Sequence, residues 1–357
     1  NVEMIHTLFK NKMEGTILSM GGQIANNIAT DLDSRSIKIL GTQPKYIDMA
    51  ENRSQFSKIL DEIKVDQPQW SSLNTLKNAK EFANRVHYPV LVRPSYVLSG
   101  AGMLVVHNEQ EIEEYLKQSG QISEKYPVVI SKFVENSKEI EVDAVAYCGS
   151  VVAMGISEHV ENAGIHSGDA TLVFPAVDLT SVTRDRIELI VRRIAQALRI
   201  TGPFNLQLLA KYDELKVIEC NIRVSRSFPF VSKTAKTNLI HLATQMFFLE
   251  TDTILEQWRG KLHLDCERIG VKVAQFSHHR LEGADVNLGV EMTSTGEVAA
   301  FGKSREVAFL KAFYGTKVNP FVNDSLHILI MIWNEEWMDE LKPYINKDTK
   351  NKFSFVT

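Results

Sequence analysis

One stretch of this sequence joins the pattern of a buried strand to the charged groups of a binding site. VIECNIRVSRSFPFVSK, residues 217–233, begins as an apolar run and then carries Glu219, Asn221, Arg223 and Arg226 within eight positions. Carboxylate and amide oxygens are ligands that Mg²⁺ accepts in proteins. The planar guanidinium fork matches the oxygens of phosphate or carboxylate. The stretch therefore predicts a site for a metal ion and an anionic substrate.

A predicted hairpin aligns this strand with an earlier polar position. If a three-residue turn follows Lys211, that residue pairs with Leu215, and Gln207 lies directly opposite Glu219. Side chains alternate between the two faces of a strand, so Gln207, Glu219 and Asn221 share one face. Directly opposed Cβ atoms lie about 4.5–5.5 Å apart. The spacing thus predicts three converging oxygen-bearing side chains.

The same alternation assigns the apolar residues of the second strand. Val217 is expected beside Glu219, while Ile218 and Cys220 are expected on the opposite, core-facing side. From spacing alone, a hairpin with one solvated polar face is the favoured interpretation. The arginines that follow favour a binding site, because they suit an anionic substrate.

A second motif, LVRPSYVLSGAGM at residues 91–103, places Arg93 at the end of a strand and before a glycine-bearing loop. Glycine permits the backbone to approach a phosphate closely. Neither the Rossmann nor the P-loop spacing is present, so an ordinary turn is the alternative. Residues 98–102 are a candidate lid over the site.

A third motif, ISEHVENAGIHSGDA at residues 156–170, is predicted to be a loop because it contains Gly164 and Gly168. His159 and His166 flank Glu161, but they lack the i, i+4 helical spacing of zinc proteases. A loop that offers groups to a phosphate or a monovalent cation is the favoured interpretation. Residues 162–168 are the second lid candidate.

The composition is that of an ordinary globular protein, with 44% hydrophobic and 24% charged residues and a formal net charge of −4. This charge gives no bulk basic field for nucleic acid or an anionic membrane. The three cysteines are scattered, which favours a reducing compartment. The chain starts on Asn1 and ends on a strand-like FSFVT, so we expect a fragment of a longer polypeptide.

The elements that must position these residues alternate between strand and helix. Residues 15–40 suggest a strand, a Gly-led helix and a second strand, and residues 140–147 alternate as a half-buried strand. Residues 181–199 form the clearest amphipathic helix. Asn108 and Glu111 form a capping-box-like helix start. From residue 324 the pattern changes to strand, helix, strand, as at the opening of another α/β domain.

Four motifs in this order resemble the large-subunit ATP-grasp region of carbamoyl phosphate synthetase: RPSYVLSGAGM, EHVENAGIHSGDA, GPFNLQLLAK and VIECNIRVSRSFPFVSK. The resemblance covers nearly all of residues 10–315. The forms RPSY, HSGDA and PFVSK resemble the C-terminal of the two homologous halves. ECNIRVSRSFPFVSK is most similar to the glutamine-dependent enzymes of eukaryotic pyrimidine synthesis, with the ammonia-dependent urea-cycle form as the alternative.

This resemblance implies an α/β (α+β) chain with an ATP-grasp fold, preceded by a partial Rossmann-like unit. The implied units are a partial pre-ATP-grasp unit at 1–47, the ATP-grasp N-terminal subdomain at 48–130, its C-terminal subdomain and closing segment at 131–320, and a truncated, allosteric-type domain from 321–357. The sequence of this last unit matches the start of the family's allosteric domain poorly. The implied reaction is the MgATP-dependent phosphorylation of carbamate, a ligase activity.

The resemblance also implies roles for individual residues. Metal binding (Mg²⁺ or Mn²⁺) falls to Gln207, Glu219 and Asn221, and the substrate anion to Arg223 and Arg226, with Asn221 counted among the catalytic residues. His159 and Glu161 fall in the family's potassium loop. Nucleotide binding is assigned to Gln207 and Glu219 together with these residues: Arg53, Arg93, Lys132, Val134, Glu139, Gly164, Ile165, His166 and Ser167.

The implied cofactors are ATP, Mg²⁺ or Mn²⁺, and K⁺. The implied partners are the N-terminal ATP-grasp half and a glutamine amidotransferase, with no nucleic acid or membrane, in an oligomer formed through the full-length protein. The implied location is cytoplasmic, or mitochondrial for the urea-cycle form. Two other hypotheses remain: a non-catalytic nucleotide-binding module, and another ATP-grasp ligase such as a biotin-dependent carboxylase, since fold alone does not decide function.

Overall fold

The computed structural model describes most of the chain. The described ranges are 2–9, 13–73, 75–94, 102–119, 128–248, 253–264, 266–276, 288–316, 327–331 and 352–356. Within these ranges, no helix combines the length and the apolar composition needed to cross a membrane.

The first part of the chain contains five helices and a two-stranded parallel sheet. These elements are α1 (Val2–Phe9), β1 (Thr16–Ile17), α2 (Gly22–Asn26), α3 (Ala29–Ser34), β2 (Ile39–Leu40), α4 (Pro44–Glu51) and α5 (Arg53–Glu62). The Asn52 side chain accepts a hydrogen bond from the Gln55 backbone N–H at 3.1 Å, which caps the start of α5. This cap fixes the place where Arg53 enters the helix.

Two helices and a four-stranded antiparallel sheet follow, with the strand order β3-β6-β4-β5. Their bounds are β3 (Trp70–Leu73), α6 (Leu76–Val86), β4 (Val90–Pro94), β5 (Leu104–Val106), α7 (Glu109–Ser119) and β6 (Val128–Lys132). The predicted cap of α7 is present, because Asn108 Oδ1 accepts from the Glu111 N–H at 3.0 Å. Glu111 in turn accepts from the His107 N–H at 2.9 Å.

A seven-stranded antiparallel sheet forms the larger half, with the strand order β11-β10-β7-β8-β9-β12-β13. Its elements and associated helices are β7 (Lys138–Tyr147), β8 (Ser150–Asn162), β9 (Leu172–Phe174), α8 (Ser181–Ala197), β10 (Gly202–Lys211), β11 (Glu214–Asn221), α9 (Ser227–Thr234), α10 (Leu239–Phe247), α11 (Thr253–Gln257), β12 (Ile269–Gln275), β13 (Gly296–Gly302) and α12 (Arg305–Gly315). Helices cover both faces, so most of this sheet is buried.

The predicted helix over residues 181–199 is confirmed. Its stripe packs against one face of the seven-stranded sheet: Ile187, Val191, Ile194 and Leu198 are fully buried. On β7, the alternation predicted from the sequence sends Ile140 into the same core. Glu141 and Asp143 on the other face are buried as well, at 3% and 0% exposure. This buried acidic face underlies the site described below.

The last described elements are two parallel strands, β14 (His327–Met331) and β15 (Lys352–Val356). Both coincide with strands expected in the tail. The helix expected between them lies outside the described residues.

Candidate active site

A cavity of about 460 Å³ is lined by residues of both larger sheets. It gathers residues that are far apart in the chain, including Arg53 of α5, Arg93 of β4 and Glu219 of β11. Fourteen of the residues assigned to the site from the sequence line it: Arg53, Arg93, Lys132, Val134, Glu139, Gly164, Ile165, His166, Ser167, Gln207, Glu219, Asn221, Arg223 and Arg226. His159 and Glu161 are not part of its lining.

The β10–β11 hairpin brings Gln207 opposite Glu219, as predicted, although by a different route. The turn has two residues rather than three, so Lys211 pairs with Glu214, and the expected pairing with Leu215 is wrong. A β-bulge then shifts the register by one residue beside Gln207. The extra residue of the bulge compensates for the shorter turn.

The bulge also exchanges the faces of two apolar residues. Val217 is 1% exposed and packs in the core with Cys220, while Ile218 lines the cavity. The expectation that Val217 would flank Glu219 and that Ile218 would face the core is therefore wrong. A bulged strand breaks the strict alternation of side chains at the inserted residue.

Glu219 is the electrostatic centre of the cavity. Its carboxylate accepts hydrogen bonds from Arg53 Nη2 at 2.6 Å and from Asn221 Nδ2 at 2.7 Å. Burial would raise the pKa of Glu219, but the charge of Arg53 and these hydrogen bonds outweigh it and hold the pKa at about 2. Glu219 is consequently a carboxylate at neutral pH, able to act as a ligand for a cation.

Arg93 is a half-buried arginine whose charge is poorly compensated. Its Nε atom is buried and has no hydrogen-bond partner among the described residues. Burial and the neighbouring charge of Arg53 lower the pKa of Arg93 to about 9, against the opposing effect of Glu219 and Glu139. A cation held in this way favours an anionic ligand in the cavity.

Lys132, at the end of β6, is held by backbone oxygens. Its Nζ donates to the carbonyls of His87 at 2.9 Å and Tyr88 at 3.1 Å. The adjacent Phe133 and Val134 line the cavity as an apolar wall, which suits a flat aromatic base.

Glu139 lies at the buried end of this wall and is only 4% exposed. Burial raises the pKa of Glu139 to about 7, with Glu141 and Glu219 acting in the same direction against His159 and Arg93. A carboxyl group with this pKa exchanges its proton near neutral pH and can accept hydrogen bonds from hydroxyl groups when it is ionised.

This raised pKa gives a testable pH dependence of stability. The folded pKa of Glu139, about 7, lies above the ordinary value of 4.5, so stability is lost as the pH rises through this interval. Glu139→Gln removes the cost, which is roughly 3 kcal/mol at pH 8. Between pH 5 and pH 8, the Tm of the wild type should fall by several degrees more than that of the variant.

The matched control is Glu135→Gln, an identical change at an exposed carboxylate four residues away. Thermal melts over the pH series should superimpose for this control and the wild type. Parallel Tm profiles for the wild type and Glu139→Gln would contradict the assigned pKa.

The loop after β8 folds over the cavity. Ser167 Oγ accepts a hydrogen bond from Gln207 Nε2 at 2.9 Å, and His166 Nδ1 accepts from the Gly168 N–H at 3.0 Å. Burial lowers the pKa of His166, so its ring is neutral at pH 7. Gly164 has φ +115°, and a Cβ there would lie 2.9 Å from the Phe133 ring, so this position requires glycine. The first lid candidate, 98–102, lies mostly outside the described residues.

His159 and Glu161 lie on β8 rather than in a loop, because this strand continues to Asn162. His159 is 2% exposed, and its Nε2 lies 3.7 Å from Glu141 Oε2. Burial lowers the pKa of His159, but Glu139 and Glu141 outweigh it and raise the pKa. Glu161 accepts from the Thr171 N–H at 2.7 Å. In the described part of the chain, no group of three or more His, Cys, Asp or Glu side chains forms a metal cluster.

The two arginines after β11 contact different parts of the chain. Arg223 donates to Gln23 Oε1 at 2.9 Å and to Asn221 Oδ1 at 3.1 Å. Arg226 is the N-cap residue of α9 and donates to Ser294 Oγ at 3.0 Å. Both line the cavity, so their charges are available to an anion there.

Sequence reasoning gave no role to several further polar residues of the lining, among them Glu141, Asn205 and Lys272. Asn205 precedes Gln207 by two positions on β10, so strand alternation could have identified it. Lys272 is 1% exposed and is the single charged residue of the strand IGVKVAQ, which was a usable signal. Glu141 belongs to the strand that was predicted at residues 140–147 from its alternating pattern.

Comparison with known proteins extends this description. The sequence profile of the family described as "Carbamoyl-phosphate synthase L chain, ATP binding domain" matches residues 52–248. The multifunctional protein CAD of Squalus acanthias is 56% identical over 85% of this chain. The multifunctional protein URA2 of Saccharomyces cerevisiae is 50% identical over 97% of it. The chain spans only 13% and 15% of the lengths of these two relatives.

Among solved structures, the biotin carboxylase domain of Hydrogenobacter thermophilus 2-oxoglutarate carboxylase, in complex with MgADP and bicarbonate, matches with a TM-score of 0.70. The match has 17% identity and covers 88% of this chain and 77% of that one. A biotin carboxylase from Campylobacter jejuni has a TM-score of 0.67 at 16% identity, over 87% of this chain and 76% of that chain. At these identities the likeness is one of fold, and the prediction of an ATP-grasp fold is confirmed.

Proposed function

Because this chain belongs to the carbamoyl-phosphate synthase family, through the ATP-binding domain of the large chain, we propose that it phosphorylates carbamate with MgATP. The step yields carbamoyl phosphate and ADP, as the second ATP-using reaction of glutamine-dependent synthesis for pyrimidine formation. A carbamate oxygen attacks the γ-phosphorus, and the bond from that phosphorus to the β-phosphate oxygen breaks. One observation carries the proposal: a single cavity joins the Gln207–Glu219 pair to four arginines.

The proposed metal site consists of Gln207, Glu219 and Asn221. Its donors suit Mg²⁺ or Mn²⁺, because all are oxygens and Glu219 is ionised at neutral pH. Arg53 contacts one oxygen of the Glu219 carboxylate, and Asn221 Nδ2 donates to the other. A bound ion would therefore use carboxylate oxygens that also accept these hydrogen bonds. Mg²⁺ supplies charge neutralisation at the phosphate oxygens when it is bound.

The proposed nucleotide site uses the remaining lining. Arg53 and Arg93 contact phosphates, since Arg93 has a buried Nε that no described group satisfies. Val134 and Ile165 flank the base, with Lys132 and Gly164 shaping the wall, and Glu139 accepts from the ribose hydroxyls. His166 and Ser167 close over the nucleotide, which excludes water from a substrate that hydrolyses readily.

The proposed substrate residues are Arg223 and Arg226, which bind and orient the carbamate anion, with Asn221 beside them. Phosphoryl transfer depends mainly on positioning and charge neutralisation, so no protein nucleophile is required. The assignment of His159 and Glu161 to a K⁺ site is kept as a proposal from the family resemblance. Because His159 contacts Glu141, the structure supports this K⁺ site less strongly than it supports the Mg²⁺ site.

The relatives are much longer than this chain, so we also propose which partners and which location belong to the full-length protein. We assign the N-terminal ATP-grasp half and a glutamine amidotransferase as fused or bound partners, a cytoplasmic location, and the four units 1–47, 48–130, 131–320 and 321–357. An ammonia-dependent urea-cycle form is the second candidate. The two forms differ in their nitrogen donor. Measuring carbamoyl phosphate synthesis by the full-length protein with glutamine and with ammonia as the donor distinguishes them.

The direct test is ATP formation from ADP and carbamoyl phosphate by the purified chain with Mg²⁺. We expect ATP to accumulate, either from the chain alone or from the chain joined to the N-terminal half. A folded protein without this activity in both forms would overturn the proposal. Nucleotide binding that is indifferent to Mg²⁺ would favour a non-catalytic module instead.

A further inference from the structure

The two serines on either side of Arg226 are buried and bonded to two carboxylates. Ser225 Oγ donates to Asp143 Oδ1 at 2.6 Å, and Ser227 Oγ donates to Glu141 Oε1 at 2.8 Å. Ser225 is 9% exposed and Ser227 is 1% exposed. Hydrogen bonds to carboxylates are stronger than neutral ones, most of all in buried surroundings. The backbone is therefore anchored immediately before and immediately after Arg226.

Asn205 joins the two carboxylates into one unit. Its Nδ2 donates to Glu141 Oε1 at 2.7 Å and to Asp143 Oδ1 at 2.8 Å, and the side chain is 1% exposed. Asn205 lies directly opposite Asp143 in the pairing of β10 with β7. The anchor consequently lies on two adjacent strands of the seven-stranded sheet, which are hydrogen-bonded to each other along their length.

The two serines also link the carboxyl groups of Asp143 and Glu141 to each other. Ser225 Oγ and Ser227 Oγ also lie 2.8 Å apart, so the chain from Asp143 through the two serines to Glu141 has three short contacts. Burial, together with Glu141, raises the pKa of Asp143 to about 7, so the carboxylate form that accepts from Ser225 predominates above this pH.

An ordinary helix cap does not explain the arrangement. Ser225 Oγ accepts from the Phe228 N–H at 3.1 Å, which is the only capping bond it makes at the start of α9. A cap needs one acceptor and no carboxylate. The bond from Ser227 to Glu141 takes no part in capping, so it has another consequence: it fixes the residue that precedes it.

Arg226 gains a defined position from these bonds. Its guanidinium reaches Ser294 Oγ at 3.0 Å, and the Ser294 N–H donates to Asp169 at 2.9 Å. With its backbone and its guanidinium both held, the arginine is presented to the cavity in one orientation. Displacement of a catalytic group by about 1 Å can reduce a rate about 100-fold.

We infer that Glu141 and Asp143, acting through Ser227 and Ser225, are positioning residues that hold Arg226 in place to bind the substrate anion. The inference rests on the proposed function for its kinetic consequence, because Arg226 is assigned to the substrate rather than to the nucleotide. It also has a purely structural consequence, since loss of the two hydroxyls should release Arg226 from Ser294.

Ser227→Ala is the cleanest kinetic test, because Ser225 also serves as the cap. In the ADP and carbamoyl phosphate reaction, kcat should fall about tenfold, while the KM for ADP should change by less than twofold. Ser227→Thr keeps the hydroxyl and should restore most of the rate. Ser232→Ala, on the same helix and without a carboxylate partner among the described residues, is the matched control and should retain the wild-type kcat.

A double-mutant cycle then asks whether Ser227 acts through Arg226. In an Arg226→Lys background, Ser227→Ala should cost less than twofold further. An equal loss of kcat in both backgrounds, or a loss expressed in the KM for ADP, would overturn the inference.

A crystal structure of the Ser225→Ala, Ser227→Ala double variant gives a readout that does not need activity. We expect Arg226 to have left Ser294 while the β7–β10 pairing is unchanged. An Arg226 that stays within hydrogen-bond distance of Ser294 would refute the positioning role. An inactive wild type would overturn the proposed function and leave this structural test valid.

Discussion

Glu219→Gln is expected to reduce ATP formation from ADP and carbamoyl phosphate by at least about 100-fold, because the amide removes the one carboxylate of the proposed Mg²⁺ site. Glu219 is paired with Arg53 at 2.6 Å, and its pKa of about 2 makes it fully ionised at neutral pH. Glutamine keeps the size of the side chain and loses the charge. The measurement is kcat at saturating Mg²⁺, with nucleotide titrations in the presence and absence of the ion.

Glu214→Gln provides the control, since it makes the same change on the same hairpin at an exposed position. We expect this variant to bind nucleotide with the wild-type dependence on Mg²⁺. The Glu219→Gln protein should bind nucleotide weakly and nearly independently of Mg²⁺. If its Mg²⁺ dependence equals that of the wild type, the metal assignment is wrong.

Arg93→Met is expected to change ligand binding and stability in opposite directions. The substitution removes a cation assigned to the nucleotide phosphates, so the Kd for ATP should rise at least about tenfold, since a charged hydrogen bond is worth about 1.5–3 kcal/mol. It also removes a buried Nε without a described partner and a charge that Arg53 repels. The ligand-free variant should therefore melt at a higher temperature than the wild type.

Calorimetric titration with ATP and thermal melts without nucleotide measure the two effects. Arg85→Met, at an exposed arginine on α6, which packs against the sheet that contains Arg93, should leave the ATP affinity unaltered. A lower Tm for Arg93→Met would show that the arginine stabilises the empty fold. An unchanged Kd would remove it from the nucleotide site.

The local patterns of the chain predicted the local structure well. The amphipathic stripe of Ile187, Val191 and Ile194 identified α8, and the alternation around Ile140 identified the core face of β7. The opposition of Gln207 and Glu219 was also predicted. These features depend on backbone periodicity over a few residues, which is written directly into the order of polar and apolar side chains.

The errors arose where a single residue changed the geometry. The two-residue turn and the bulge beside Gln207 exchanged the faces of Val217 and Ile218. Glycines at 164 and 168 suggested a loop, yet β8 carries His159 within a strand. Bulges and strand ends depend on the pairing partner as much as on the strand's own sequence, so a local pattern does not determine them.

The sequence by itself determined the family, through four ordered motifs, and fourteen of the residues that line the cavity. Only the tertiary structure decided what those residues touch: Arg53 with Glu219, 166 positions apart, and Ser227 with Glu141, 86 positions apart. The physical reason is that periodicity assigns a side chain to a face, whereas a partner depends on which distant strand is brought alongside. The charge of Glu219 and the orientation of Arg226 both follow from such distant contacts.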